Sequence, residues 1–318
     1  MRYFDVFNGD ADGICALHQL RLEQPAGSTL VTGLKRDLAL LDRVDAQAGD
    51  VVTVVDLSVE RNRTALERLL ARGAHVRYFD HHDPGQIPVH PGLVSVIDTA
   101  PDTCTSTIVD RLLHGRFRPW AIVGAFGDNE PGTATGLAHA LGLDAKQVAT
   151  LRELGEDLNY NAYGLSLSDV MIAPEELFRV VHRYADPFEL MKREPVMQRL
   201  KEERESDLRR ALETMPLRSA GGADAWLLPD APWSRRVSGT FANHLALDDP
   251  GRAHAVLTPA RQGTYVVSVR SPAAGAARAC DFCRRFPGGG GRALAAGIDA
   301  LPEGGLAPFL DALCETWT

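Results

Sequence analysis

The sequence predicts an α/β protein: a parallel sheet wrapped by helices, then a helical connector, then a smaller α/β domain with a mixed sheet. Three observations predict it. Short apolar runs alternate with amphipathic stretches through the first half, the pattern of a parallel sheet covered by helices. Val51-Val52-Thr53-Val54-Val55 is almost wholly β-branched with no polar alternation, as a strand buried on both faces requires. From Ala225 the chain takes up a new set of strands and helices. At 318 residues there is room for two domains, at about 150 residues each. The expected divisions are residues 1–190, a connector over 191–218, and residues 219–318.

Taken in order, Tyr3 to Phe7 reads as a strand and Gly13 to Glu23 as a helix with Leu17, Leu20 and Leu22 at apolar positions. Thr29 to Thr32 is a second strand, and the Val-rich run is the third. Ser58 stands where it can cap a helix from about Glu60 to Ala71, lined by Leu66, Leu69 and Leu70. His75 to Phe79 and Leu93 to Ile97 are further strands. Thr103-Cys104-Thr105-Ser106-Thr107 opens a helix to Leu113 whose first N–H groups could face an anion. Trp120 to Phe126 is apolar and ends at Gly127-Asp128. Between 174 and 215 the chain is helical, with Pro174, Pro187 and Pro195 each suited to a first turn. Beyond it, Ala255 to Thr258 and Thr264 to Val269 form a hairpin, and Ala276 to Phe286 is expected to be helical.

Composition narrows the function. Hydrophobic content of 45% and charged content of 24% suit a globular protein, with no apolar run of membrane-spanning length. No signal-peptide pattern precedes Tyr3, so a cytoplasmic location is expected. The net charge of −8 argues against gripping long duplex DNA, which needs a basic surface to displace counterions. Residues 216–318 carry 10 Arg and 9 acids, net +1, leaving −9 for residues 1–215. An anionic substrate is therefore best received by the last third. The lone Cys280-x-x-Cys283 pair reads as two structural thiols.

Three predicted strands end before acidic or imidazole clusters: Asn8-Gly9-Asp10-Ala11-Asp12-Gly13, Asp56, and Asp80-His81-His82. Ligands of open α/β sheets bind beyond the carboxyl ends of the strands, so the three can share one rim. With Asp128 they supply Asp10, Asp12, Asp56, His81 and Asp128, too many ligands for one metal ion but suited to two divalent ions about 3.5–4 Å apart. Oxygen-rich ligation favours manganese or magnesium over zinc. Asp80 is placed to fix an imidazole tautomer.

These residues carry a family resemblance. Asp10-Ala11-Asp12-Gly13, Asp56, Asp80-His81-His82 and Gly127-Asp128 resemble, in order, the four motifs of the DHH phosphoesterases. Ser268-Val269-Arg270-Ser271 and Gly289-Gly290-Gly291-Arg292 resemble segments of the DHH-associated carboxyl-terminal domain. The resemblance spans nearly the whole chain. It implies a hydrolase using two manganese ions (magnesium being possible), with its site in a cleft between two domains. By position it implies that Asp10, Asp56, His81 and Asp128 hold one ion, that Asp12 holds the other, and that Asp56 bridges them. His82 would contact the scissile phosphate or assist the leaving group. Arg270 and the Gly289, Gly290 and Gly291 backbone would hold a terminal phosphate or nucleotide, with Arg292 beside them as a binding group.

Two departures bear on the substrate. Val6 stands where members acting on small phosphate compounds often carry His, and Asn8 either compensates or serves the turn. Arg292 stands where the glycine signature usually continues with His. A short single-stranded oligonucleotide, cleaved as by an exonuclease, is the expected substrate. The alternative is a small nucleotide, such as a bisphosphate or cyclic dinucleotide, or a phosphoanhydride such as polyphosphate. Gly288, Gly290 and Ala293 match a dinucleotide-binding spacing, but no strand precedes them, and no Gly-x-Ser-x-Gly elbow is present.

Overall fold

The computed structural model describes residues 1–318. They divide into two compact units, Met1–Lys201 and Glu202–Thr318. The first contains β1 (Tyr3–Asn8), α1 (Ala11–Glu23), β2 (Ser28–Gly33), β3 (Val51–Val55), α2 (Val59–Ala71), β4 (His75–Asp80) and β5 (Leu93–Ile97). Helices α3 (Thr105–Leu112), α4 (Arg118–Gly127), α5 (Pro131–Ala140), α6 (Ala145–Asn161), α7 (Pro174–Val181) and α8 (Pro187–Arg193) follow, and α9 (Pro195–Leu212) runs across the division.

All five expected strands of the first unit form one sheet in the order β2-β1-β3-β4-β5, with every pairing parallel. The Val-rich β3 lies at its centre, which explains its lack of polar alternation. Phe7, Val55 and Phe79 face one core with α1, α4 and α6, while Val6, Val52, Val54 and Tyr78 face another with Leu66 and Leu69 of α2. The chain order reverses between β1 and β3, a switch point that opens a crevice at the carboxyl rim.

Helix α1 has no solvent face: Ala11 through Arg21 are all buried. Its start is metered by close packing. A Cβ on Gly13 would lie 2.1 Å from the Asn8 carbonyl oxygen, and one on Gly127 would lie 2.2 Å from the Ala11 Cβ, so α4 meets α1 at backbone distance.

The second unit contains β6 (Arg218–Ala220), β7 (Ala223–Leu227), α10 (Pro232–Asp248), β8 (Ala253–Pro259), β9 (Thr264–Arg270), α11 (Ala279–Cys283), β10 (Gly289–Gly291), β11 (Ala295–Pro302) and α12 (Leu306–Thr316). Its sheet, β10-β11-β9-β8-β7-β6, is mixed as expected, with only β7 and β8 parallel. The thiols are free, and burial pushes that of Cys283 up to about 12.

Two local expectations fail. Ser58 occupies the N-cap of α2, but its hydroxyl makes no capping bond; it donates to the Asp83 carbonyl at 3.4 Å, tying the helix start to the turn beyond β4. The helix expected over Ala276 to Phe286 shrinks to five residues. Gly289 packs so closely over its end that a Cβ there would meet the Cys283 carbonyl at 1.8 Å. The glycine run is thus an edge strand.

Candidate metal centre

The carboxyl ends of β1, β3 and β4 deliver the acids and imidazoles to one place. Asp10 caps α1 and accepts from Gly13 N–H at 3.1 Å. Asn8 serves that turn, its side-chain oxygen accepting from Asp10 N–H at 3.3 Å. Asp12 lies in the first turn of α1, where both its oxygens accept from the N–H groups of Thr105 and Ser106 at 2.7 Å. The N-terminus of α3 does face an anion, and that anion is the protein's own carboxylate.

Asp56 ends β3 with φ at 58°, a left-handed conformation that Asp tolerates better than most residues. Its N–H still donates to the Phe79 carbonyl at 3.0 Å, and Thr105 Oγ1 donates to its Oδ1 at 3.2 Å. Asp128 caps the C-terminus of α4. Asn129 beyond it is left-handed, Glu130 N–H reaches the Ala125 carbonyl at 2.8 Å and Asn129 N–H the Phe126 carbonyl at 3.2 Å. That is a Schellman closure with Asn in the position glycine usually fills.

His81 Nδ1 donates to the Thr103 carbonyl at 3.0 Å, which turns Nε2 toward the acids. Nε2 lies 3.4 Å from Asp56 and 3.7 Å from Asp128. The imidazole that Asp80 fixes is that of His82: Asp80, fully buried, bonds His82 Nδ1 at 2.7 Å, while a backbone carbonyl orients His81. The other Asp80 oxygen is buried without a hydrogen-bond partner. The His82 side chain is 45% exposed and stands against the His81 ring, 4.4 Å between centroids.

Sequence reasoning misses Lys35. Its ammonium pairs with Asp10 Oδ2, lies 3.3 Å from Asn159 Oδ1 and 4.0 Å from Asp128 Oδ1. It follows β2, so the strand-end logic that finds the acids would find it too if a cation were sought.

Acids crowd one another here. Lys35 pairs with Asp10 and lies 4.0 Å from Asp128, while Asp56 feels the charges of Asp10, Asp12 and Asp128. Burial, and then the charges of Asp10 and Asp12, push the Asp56 carboxyl well above the usual carboxylate range. Burial also raises Asp10, but Lys35 and the Gly13 N–H outweigh it and hold Asp10 at about 2. Burial opposes the charge on Lys35, yet Asp10 and the neighbouring Tyr163 and Asp128 keep its affinity for the proton above the ordinary value. Donor atoms of Asp12, His81 and Asp128 lie within 4.8 Å of one another, as do those of Asp56, His81 and His82. An oxygen-rich, negatively charged set with one oriented imidazole is the donor chemistry of a hard divalent cation.

The other expected residues lie in the second unit. Arg270 ends β9, with Nε donating to Asn243 Oδ1 of α10 at 2.7 Å. Of the glycines, Gly289 and Gly291 are consumed by packing, since a Cβ on Gly291 would meet Ala296 Cα at 2.5 Å. Gly290 alone faces open space. Arg292 follows at the end of β10, its N–H donating to the Ala295 carbonyl at 2.9 Å. Val6, at the position of the missing histidine, is fully buried in the core facing α2.

No protein-family model and no curated protein matches the chain. Solved structures do. An exonuclease RecJ bound to manganese aligns over 99% of this chain and 89% of its own, with 18% identity and a TM-score of 0.62. RecJ from Thermus thermophilus in complex with Mn²⁺ aligns over 99% of this chain and 51% of its own, with 20% identity and a TM-score of 0.67. A pGpG-specific phosphodiesterase from Vibrio cholerae aligns over 99% of this chain and 98% of its own, with 12% identity and a TM-score of 0.54. The motif resemblance is borne out as a likeness of fold. No helix is long and apolar enough to cross a membrane.

Proposed function

We propose that the chain is a manganese-dependent phosphoesterase that hydrolyses short single-stranded oligonucleotides from an end. The observation that carries it is the convergence of donor atoms of Asp12, Asp56, His81 and Asp128 at the carboxyl rim of a parallel sheet. Asp10, Asp12, Asp56, His81 and Asp128 would hold two ions, with Asp56 bridging. Asp12 can ligate while accepting its two N–H bonds, because each carboxylate oxygen has a second lone pair. Asp10 must first release Lys35. Bound there, divalent ions supply Lewis acidity at a phosphoryl oxygen and make water a stronger acid.

The protein's own groups do the rest. His81 is held by the Thr103 carbonyl with Nε2 toward the acids. Asp80 holds His82 Nδ1, so Nε2 is left to address the substrate. Burial works against a charge on His82, but the hydrogen bond and charge of Asp80 raise its proton affinity above the ordinary value. It therefore donates a hydrogen bond from Nε2 to a phosphoryl oxygen, or a proton to the leaving oxygen. Arg270, Gly290 and Arg292 are proposed to hold the terminal phosphate. Arg270 suits this because Asn243 fixes its guanidinium plane.

A second reading is hydrolysis of a small nucleotide or phosphoanhydride. A ladder of oligonucleotides assayed with manganese beside mononucleotide bisphosphates, cyclic dinucleotides and polyphosphate separates the two. Turnover should fall as strands lengthen. Equal turnover of long and short strands would exclude the short-substrate assignment, and turnover of only the small phosphates would establish the second reading.

A further inference from the structure

The amino-terminal rim of the same sheet, at the other end of the strands from the acids, holds an open-mouthed cavity of about 400 Å³. Tyr3, Val51, Thr53 and Arg77 line it from three strands, and Arg21 with the Gln24–Gly27 turn lines it from the end of α1. Its size falls within the roughly 300–1,000 Å³ of small-molecule pockets.

Strand register explains its polarity. Asp5, Thr53 and Arg77 sit directly opposite one another on β1, β3 and β4, forming a polar row across a sheet that is otherwise apolar. Asp5, fully buried, is saturated: Arg21 grips it with two nitrogens, Nε at 2.7 Å, and Ser28 Oγ donates to it at 2.6 Å. Arg21 is saturated in turn, reaching Thr53 Oγ1 at 3.1 Å and the Gln24 carbonyl at 3.3 Å. The two charges cancel.

Arg77 is left over. It is half-buried, no carboxylate pairs with it, and its guanidinium rests over the Phe79 ring and donates to the Gln24 side-chain oxygen at 3.1 Å. Burial, and then the neighbouring Arg21 charge, disfavour its charged form, yet an arginine keeps its proton. The Asp5 carboxylate favours its charge only from behind Arg21, so no carboxylate touches the Arg77 fork and an anion in the cavity could.

We propose that this cavity is a binding site for a small metabolite bearing one oxyanion group, phosphate or carboxylate, held by the Arg77 fork. The Gln24 amide and Thr53 offer secondary polar contacts, and Gly27 forms a wall with no side chain. That glycine supplies a clean test. A Cβ there meets nothing within 4 Å and its φ is not in the left-handed region, so Gly27→Met adds bulk at the cavity wall without straining the backbone.

The experiment is calorimetric titration of the full chain with inorganic phosphate and with acetate, against chloride at matched ionic strength. Thermal unfolding is followed in parallel. Wild type should bind phosphate or acetate and unfold at a higher temperature than in chloride. Arg77→Gln and Gly27→Met should each weaken binding by at least about tenfold, the worth of one charge-assisted hydrogen bond. Phosphate alone or acetate alone assigns the head group. Equal binding in wild type and Gly27→Met would overturn the proposal, because it would place the anion elsewhere, for example at the acid cluster. Absence of binding beyond chloride would also overturn it. Should Arg77→Gln fold poorly, the Gly27 variant still decides.

Discussion

The two rims of the first sheet handle buried charge in opposite ways. At the amino rim, Asp5 is matched by Arg21, and Asp50 accepts from Arg2 and from Gln47 N–H. Each acid there has its cation, and such pairs hold a fold together without inviting chemistry. At the carboxyl rim carboxylates crowd one another: Lys35 pairs with Asp10, and burial with the charges of Asp10 and Asp12 drives Asp56 toward the protonated form. The difference teaches where to look for function: an acid matched by its own cation is structure, and acids crowded against one another mark a site.

Substitutions at the two rims should therefore separate activity from stability. The largest effect is expected from Asp56→Ala, which removes the ligand proposed to bridge the two ions: manganese-dependent hydrolysis should fall to background and manganese affinity by calorimetry should collapse, while the fold survives by circular dichroism. Near-normal activity would refute the two-ion assignment. Asp5→Ala should do the reverse, leaving the Arg21 charge buried and unmatched at a cost of about 3–5 kcal/mol in denaturant unfolding. Manganese affinity should persist under native conditions, and an unchanged unfolding midpoint would contradict the contrast.

Asp80→Asn is intermediate, because it touches the site only through His82. Removing such an outer partner typically costs about 10–100-fold in activity. It should also lower the apparent pKa at which His82 titrates by NMR, a readout that mere loosening would not move.

The last effect is gradual, a pH dependence of stability. His18 is buried with Nε2 donating to the Tyr184 carbonyl, which leaves its Nδ1 to accept from His182 Nδ1. Burial, and then His182, depress its pKa from 6.5 to about 3. The unfolded chain then binds one more proton between those values, so the contribution is complete above pH 6.5 and is lost as pH falls toward 3. Stability should decline by about 1.4 kcal/mol per pH unit from this residue. His18→Gln should flatten the unfolding profile by that slope; an identical profile would show that His18 stays neutral in both states.

Much of the fold was legible because the strands announce themselves. Five short runs rich in β-branched and aromatic residues, each followed by a turn, gave the parallel sheet, and strand polarity then placed the acids on one rim. What the sequence hid were relations between distant backbone groups. Nothing in Thr103 says that its carbonyl will orient His81, and nothing in Ser58 says that its hydroxyl will prefer Asp83 to its own helix. Lys35 was hidden by expectation, since a cation is not sought among metal ligands. The packing of the glycine run was hidden because glycine near a ligand and glycine against the chain's own backbone look alike in sequence. Only added Cβ atoms tell Gly290 from its neighbours.

Gly127 carries the last consequence. The gap between the helices that bear Asp12 and Asp128 is gauged by two α-carbons, one of them without a side chain. A single methyl there would wedge the two acids apart while leaving every charged residue in place. A homologous chain that keeps all its acids but has lost this glycine should thus be counted among the inert, whatever its motifs spell.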